Sequence, residues 1–129
     1  MSDVLASTRQ GQWVPRSAMR RVIVESPYKG SWWQQWLNRE YARKCVRNCI
    51  DRGEAPFASH LFYTQPGVLR DGDPVERERG ILAGLTWGVV ADATVVYTDH
   101  GISKGMKQGI KAAEQAGRPI EYRKLGDVW

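Results

Sequence analysis

The chain is poor in the residues that bind metals. It has two cysteines and two histidines in 129 residues. Cys45 and Cys49 lie four apart in a helical pattern and so share a face, but no third or fourth ligand has suitable spacing, and His60 and His100 are distant in sequence. The pair is read as two buried thiols acting as small hydrophobes, with no metal and no cofactor expected. Long apolar runs are also missing. None approaches the roughly 20 residues that span a bilayer, and no signal-peptide pattern opens the sequence, so a cytoplasmic protein is expected.

Acidic residues are outnumbered, 14 against 19 lysines and arginines, leaving a net charge of +5. The excess is spread along the chain: Arg9, Arg16, Arg20 and Arg21, then Arg39 to Arg52, then Lys104 to Lys124. Diffuse positive charge suits a solvated surface or a small anion better than the footprint of a duplex. A basic module reaching nucleic acid through the leader and the Arg39–Arg52 helix stays open as an alternative.

What is present reads as one domain, long enough to bury a core. Residues 1–19 are polar, lack periodicity and suggest a flexible leader; 20–125 form the domain and 126–129 a short tail. "RRVIVES" is a first strand. Leu37, Tyr41, Cys45 and Cys49 then form a helical stripe closed by Gly53. "PFASHLFYT" reads as a second strand and "QPGVLRDGD" as a loop. Asp73, Pro74 and Glu76 make a capping-box start with proline at the first helical position, ahead of a stripe of Ile81, Leu82, Leu85 and Val89. "DATVVYTD" is strand three, Ser103–Ala116 a helix stopped by Gly117, and "PIEYRKL" strand four.

The order β-α-β-α-β-α-β, with nearly continuous apolar strands, predicts a parallel sheet covered on both faces. The expected fold is a three-layer α/β sandwich, Rossmann- or flavodoxin-like, with four parallel strands in the order 2-1-3-4. Ligands of such sheets sit at the carboxyl ends of the strands, near the switch in strand order. Those ends are "ESPYKG", "HLFYTQPG" and "TDHGISKG".

At the third edge Ser103 can cap the helix and Gly105 lets a ligand approach the backbone, where free N–H groups attract an anion or hydroxyl oxygens; an ordinary capped turn is the alternative. Ser26, Pro27 and Tyr28 lie at the first edge, and Tyr28 could stack on a base or sugar or merely cover the rim. His60 and Tyr63 lie at the second, His60 as a ligand contact, an acid/base group or a structural histidine. Asp99, Gly101, Met106 and Gly109 complete the candidate binding set. "SWWQQW" holds three of the six tryptophans, as a stacking lid, a subunit contact or a cover for the first helix.

"SPYKGS", Asn38 with the following "YA", and "ADATVVYTD–GISKGMKQGIKAAEQAGRP" together resemble the nucleoside 2-deoxyribosyltransferase-like superfamily, including its deoxynucleotide N-glycosidases and small phage and prophage relatives, over about residues 21–125. The resemblance implies a nucleoside or nucleotide partner, with Ser103 and Gly105 at its phosphate or hydroxyl end, and a homo-oligomer. It also implies a glutamate six residues after the turn serine, attacking the anomeric carbon. Here that position is Gly109. Either the cleft only binds, for instance sequestering a nucleotide in a phage-type accessory role, or a relocated acid serves in its place: Asp99, Glu25, Glu76 or Glu78, with His60 as a further candidate. The alternative reading makes Gly109 a packing glycine, since Gly101, Gly105 and Gly109, like Gly80, Gly84 and Gly88, recur every four residues, and the Gly80–Gly88 series reads as a close helix–helix seam within the subunit or across an oligomer interface.

Overall fold

A computed structural model describes residues 5–7 and 13–128. The first described elements are two short strands, β1 (Leu5–Ser7) and β2 (Trp13–Pro15), paired antiparallel. The expected leader therefore carries a small ladder of its own; residues 1–4 and 8–12 of it, and Trp129 of the expected tail, lie outside the described residues.

The domain follows as β3 (Arg21–Glu25), α1 (Trp32–Asp51), β4 (Ala55–Phe57), α2 (Ser59–Phe62), α3 (Pro74–Gly88), β5 (Ala93–Tyr97), α4 (Lys104–Gln115) and β6 (Ile120–Arg123). The four domain strands are all parallel, in the order β4-β3-β5-β6, which is the expected 2-1-3-4. Alternation along the strands divides the core. Val22 and Val24 of β3, with Ala93, Val95 and Tyr97 of β5, pack against Tyr41, Cys45 and Cys49 of α1. On the opposite face Val96 packs against Met106 and Ile110 of α4. Both cysteines are fully buried and unbridged.

The helix ends use local chemistry. Ser31 caps α1 by accepting from Gln34 N at 3.3 Å, and Gly53 (φ 78°) takes the left-handed conformation just past its end. Asp73 accepts from Val75 N at 2.9 Å, with Pro74 in the first turn of α3. The reciprocal half of the expected box is not made, because Glu76 pairs instead with Arg79 at 2.9 Å.

Two expectations need correction. "PFASHLFYT" is not one strand: extended structure ends at Phe57, and Ser59–Phe62 is helical, with Phe62 N donating to Ala58 O at 2.9 Å. A short apolar run does not distinguish a buried strand from a buried helical turn. The α3 stripe is not core either. Ile81, Leu82, Leu85 and Val89 are all exposed in the single chain, Val89 by 81%. The inner side of α3 carries Gly80, Gly84 and Gly88 instead. A side chain at Gly84 would press on Ser59 of α2, and one at Gly80 would meet Leu69 and Tyr63, so these two glycines form a seam with α2 and its following loop, while Gly88 faces the Arg118 guanidinium.

A buried ionic cluster ties the outer strand to the rest. Arg123 of β6 donates to both carboxylate oxygens of Glu54, at 2.8 and 2.7 Å, and to Glu121 at 3.1 Å. Arg20 joins the same two acids at 2.7 and 2.6 Å. Burial alone would favour the neutral Glu54 carboxyl, but the two arginines outweigh it and hold the group below its ordinary value. No helix among the described residues is long and apolar enough to cross a membrane.

Candidate functional site

A cavity of about 490 Å³ opens on the α4 face of the sheet, between α3 and α4, at the carboxyl end of β3. This is the edge where strand order reverses. Its walls bring together Ser26, Tyr28, His60, Tyr63, Ser103, Gly105, Met106, Gly109 and Glu76 from the expected set. Pro27, Asp99, Gly101 and Glu78 do not line it.

The loop after β3 is held from below by Asn38, whose buried side-chain amide donates to the carbonyls of Tyr28 and Lys29 at 3.0 and 3.3 Å. Ser26 is buried, and its hydroxyl lies 2.6 Å from Nε2 of His60. Burial pushes the His60 imidazole down to about 4, so it is neutral at physiological pH. The Tyr28 ring meets His60 edge-on at 6.5 Å. Across the cavity Ser103 caps α4, accepting from Met106 N at 3.3 Å. A side chain at Gly105 would meet nothing within 4 Å, so the backbone there is open to a ligand.

Asp99 has a different occupation. It accepts from the Tyr41 hydroxyl and from the N–H groups of Leu125 and Gly126, both at 2.9 Å. Burial opposes its charge, but these donors prevail and hold its carboxyl below the ordinary value. It anchors the chain after β6 and does not line the cavity. The tryptophans of "SWWQQW" also stand apart: Trp33 and Trp36 stack at 5.7 Å, Trp32 is 79% exposed, and none of the three lines the cavity.

The cavity's unusual group is Glu25. Because Val22 and Val24 point to α1, residue 25 must point to α4. There it meets Gly109: a Cβ built on that glycine would overlap the Glu25 carboxyl. The volume left by the glycine is thus filled by a carboxyl from another element. Beyond its backbone pairing in the sheet, the Glu25 carboxyl forms no hydrogen bond or ion pair with any other described residue. Burial pushes its carboxyl from an ordinary 4.5 to about 8, and the Arg118 guanidinium offsets only part of this. Arg118 itself is fixed, donating to Thr94 Oγ1 at 3.0 Å and to the Gly88 carbonyl at 2.7 Å.

Glu25 was legible as one alternative acid from its place at a strand's carboxyl end. Arg118 had no such signal, since it enters the cavity from the turn before β6. Lys29, Arg77, Lys104 and Lys111 also line the cavity.

A four-stranded parallel sheet of this order with helices on both faces is a flavodoxin-like α/β fold. A solved structure described as a 2-deoxyribosyltransferase from the psychrotolerant bacterium Bacillus psychrosaccharolyticus superposes with a TM-score of 0.58 over 84% of this chain and 76% of that one, at 20% identity, and so shares the fold. Residues 20–123 match the family model described as a domain of unknown function, DUF7768, and the chain belongs to that family. No curated protein matches it in sequence.

Proposed function

We propose that the protein binds a nucleoside or nucleotide in the cavity between α3 and α4. The observation that carries this reading is the site's construction. An open-backed helix start at Ser103–Gly105 shares the cavity with the aromatic and apolar side chains of Tyr28, Tyr63 and Leu85, at the switch in strand order. A helix N-terminus favours an anion or hydroxyl oxygens, and aromatic and apolar lining side chains suit a base. Lys29, Lys104 and Lys111 on the same cavity add positive charge, which favours a phosphorylated ligand over a bare nucleoside. The likeness to a 2-deoxyribosyltransferase fold supports the same ligand class.

Thermal-shift measurement against nucleosides and their monophosphates tests this. A ligand at a hundred times its dissociation constant adds about 2.7 kcal/mol of stability. A panel in which no nucleoside or nucleotide shifts the melting temperature refutes the reading.

The outward side of α3 supports a second statement. Val75 and Leu82 of α3 and Val89 at its C-cap are 69%, 56% and 81% exposed, an apolar face of the kind that marks an interface. We infer a homo-oligomer that covers it, and sedimentation velocity at micromolar concentration showing only monomer would overturn that inference.

A further inference from the structure

We propose that this cavity takes up an anion and a proton together: an anionic group seated at the start of α4 binds tightly only while Glu25 is protonated. The proposal rests on the ligand reading above for the anionic class alone, requires no particular base, and adds a control of that same site by pH.

The helix start at Ser103–Gly105 has an open backbone, and a Cβ built on Gly109 would overlap the Glu25 carboxyl. Residues 105 and 109 are four apart and share a helix face, so the carboxyl lies about 6 Å along α4 from the open backbone. Both border one cavity. A ligand anchored by its anion at Ser103–Gly105 therefore reaches Glu25 within one helical turn.

The other cavity acids have partners. Glu76 pairs with Arg79 at 2.9 Å, and Asp71 lies 4.0 Å from Arg77. The Glu25 carboxyl has no such partner among the described residues, and the nearby Arg118 is committed to Thr94 Oγ1 and the Gly88 carbonyl. With no cation bonded to it, the charge of Glu25 is set by burial and by what enters the cavity.

The other charged and titratable groups on the cavity are Arg118 before β6, Lys104 and Lys111 on α4, Asp71, Glu76 and Arg77 around the start of α3, His60 and Tyr63 on and after α2, and Tyr28 with Lys29 after β3. Their cations outnumber their acids, which draws an anion in. An ionised Glu25 would set a like charge about 6 Å from that anion, weakening its binding about 100-fold. A neutral Glu25 instead donates its O–H to a ligand oxygen. Burial pushes the carboxyl up to about 8, against the partial offset of Arg118, so at pH 7 the neutral form prevails. Coupling is reciprocal: the bound anion holds the proton on Glu25 about 100-fold more firmly, and ligand entry above pH 8 draws a proton from solvent. His60, pushed down to about 4 by burial, does not titrate in this range.

Isothermal titration calorimetry on wild type and Glu25→Gln, from pH 7 to 9 in paired buffers of different ionisation enthalpy, tests this. The probes are inorganic phosphate, ribose 5-phosphate and the common nucleoside 5′-monophosphates, whose phosphates are past their second ionisation over that range. Relative to Glu25→Gln, wild type should lose about tenfold in affinity between pH 7 and 9, a comparison that cancels the titrations both proteins share. It should also take up most of one proton more per ligand at pH 9. If the glutamine variant does not fold, the wild-type proton count carries the test: near zero at pH 7 and approaching one at pH 9. Equal pH dependence and equal proton uptake in the two proteins overturn the proposal. So does wild-type affinity that rises with pH, the mark of a cationic group against Glu25. In either case a nucleotide that binds leaves the ligand reading standing alone. Binding of phosphate or ribose 5-phosphate without any nucleotide refutes the ligand reading, and the pH curve still decides this proposal. If no probe binds wild type, both fall.

Discussion

Glu25→Gln keeps the shape of the side chain and abolishes its charge, so it isolates what ionising this carboxyl costs the fold. The native group titrates near 8, against an ordinary 4.5. Between those values the unfolded chain has lost the proton and the native protein still holds it. The native state thus binds more protons, and stability must fall as pH rises through this window, levelling out above about 8. At about 1.4 kcal/mol per pKa unit, the whole window amounts to about 5 kcal/mol, an upper bound because water in the cavity softens the burial. Glutamine has no such window. Urea denaturation followed by tryptophan fluorescence, at half-unit steps from pH 4.5 to 9, should show the variant gaining on wild type up to about pH 8 and then holding a constant lead. Taking the difference between the two proteins removes the titrations they share, including that of His60. Parallel stability curves from pH 5 to 9 would refute the claim that the fold holds Glu25 protonated.

Gly84→Ala should destabilise despite a helix-propensity gain of about 1 kcal/mol, because its Cβ would lie 2.8 Å from both Cβ and Oγ of Ser59; a second change, Ser59→Gly, should recover the loss in a double-mutant cycle of melting temperatures. Gly105→Val places its side chain in open space, so its melting temperature should stay close to that of wild type while the shift produced by a nucleotide probe disappears. Arg123→Met leaves Glu54 buried with Arg20 alone, and the loss of one partner of a buried pair should cost about 3 kcal/mol, read as a lower urea midpoint at unchanged slope.

Sheet order and direction were legible because the β-α-β rhythm, the apolar strands and the right-handed crossover rule leave few alternatives. The α1 stripe of Tyr41, Cys45 and Cys49 is core for the same reason: one face of a helix must be covered. The α3 stripe misled, since an apolar periodicity shows that a face wants covering and not which element covers it. In the single chain the cavity takes Ile81 and Leu85, and the sheet takes neither. His60 was assigned to the wrong kind of element but to the right edge, because strand and short helix both end there. Asp99 looked like a site acid in sequence; its commitment to Leu125 and Gly126 depends on where the tail folds back, which no local pattern encodes. The absent side chain at Gly109 could be noticed in sequence, whereas its replacement across 84 residues by Glu25 depends on strand pairing and helix placement together.

The meeting of Glu25 with Gly109 also constrains how this site can vary. Positions 25 and 109 draw on a single volume, so their side chains are alternatives. A chain of this fold with a large residue at 109 must carry a small or redirected one at 25, and a glutamate at 25 requires a residue at 109 no larger than glycine unless the helix shifts. Carboxyl groups on both would crowd two acids into a space that holds one. Exchanging a carboxyl at one of these positions for a carboxyl at the other therefore takes two coordinated substitutions.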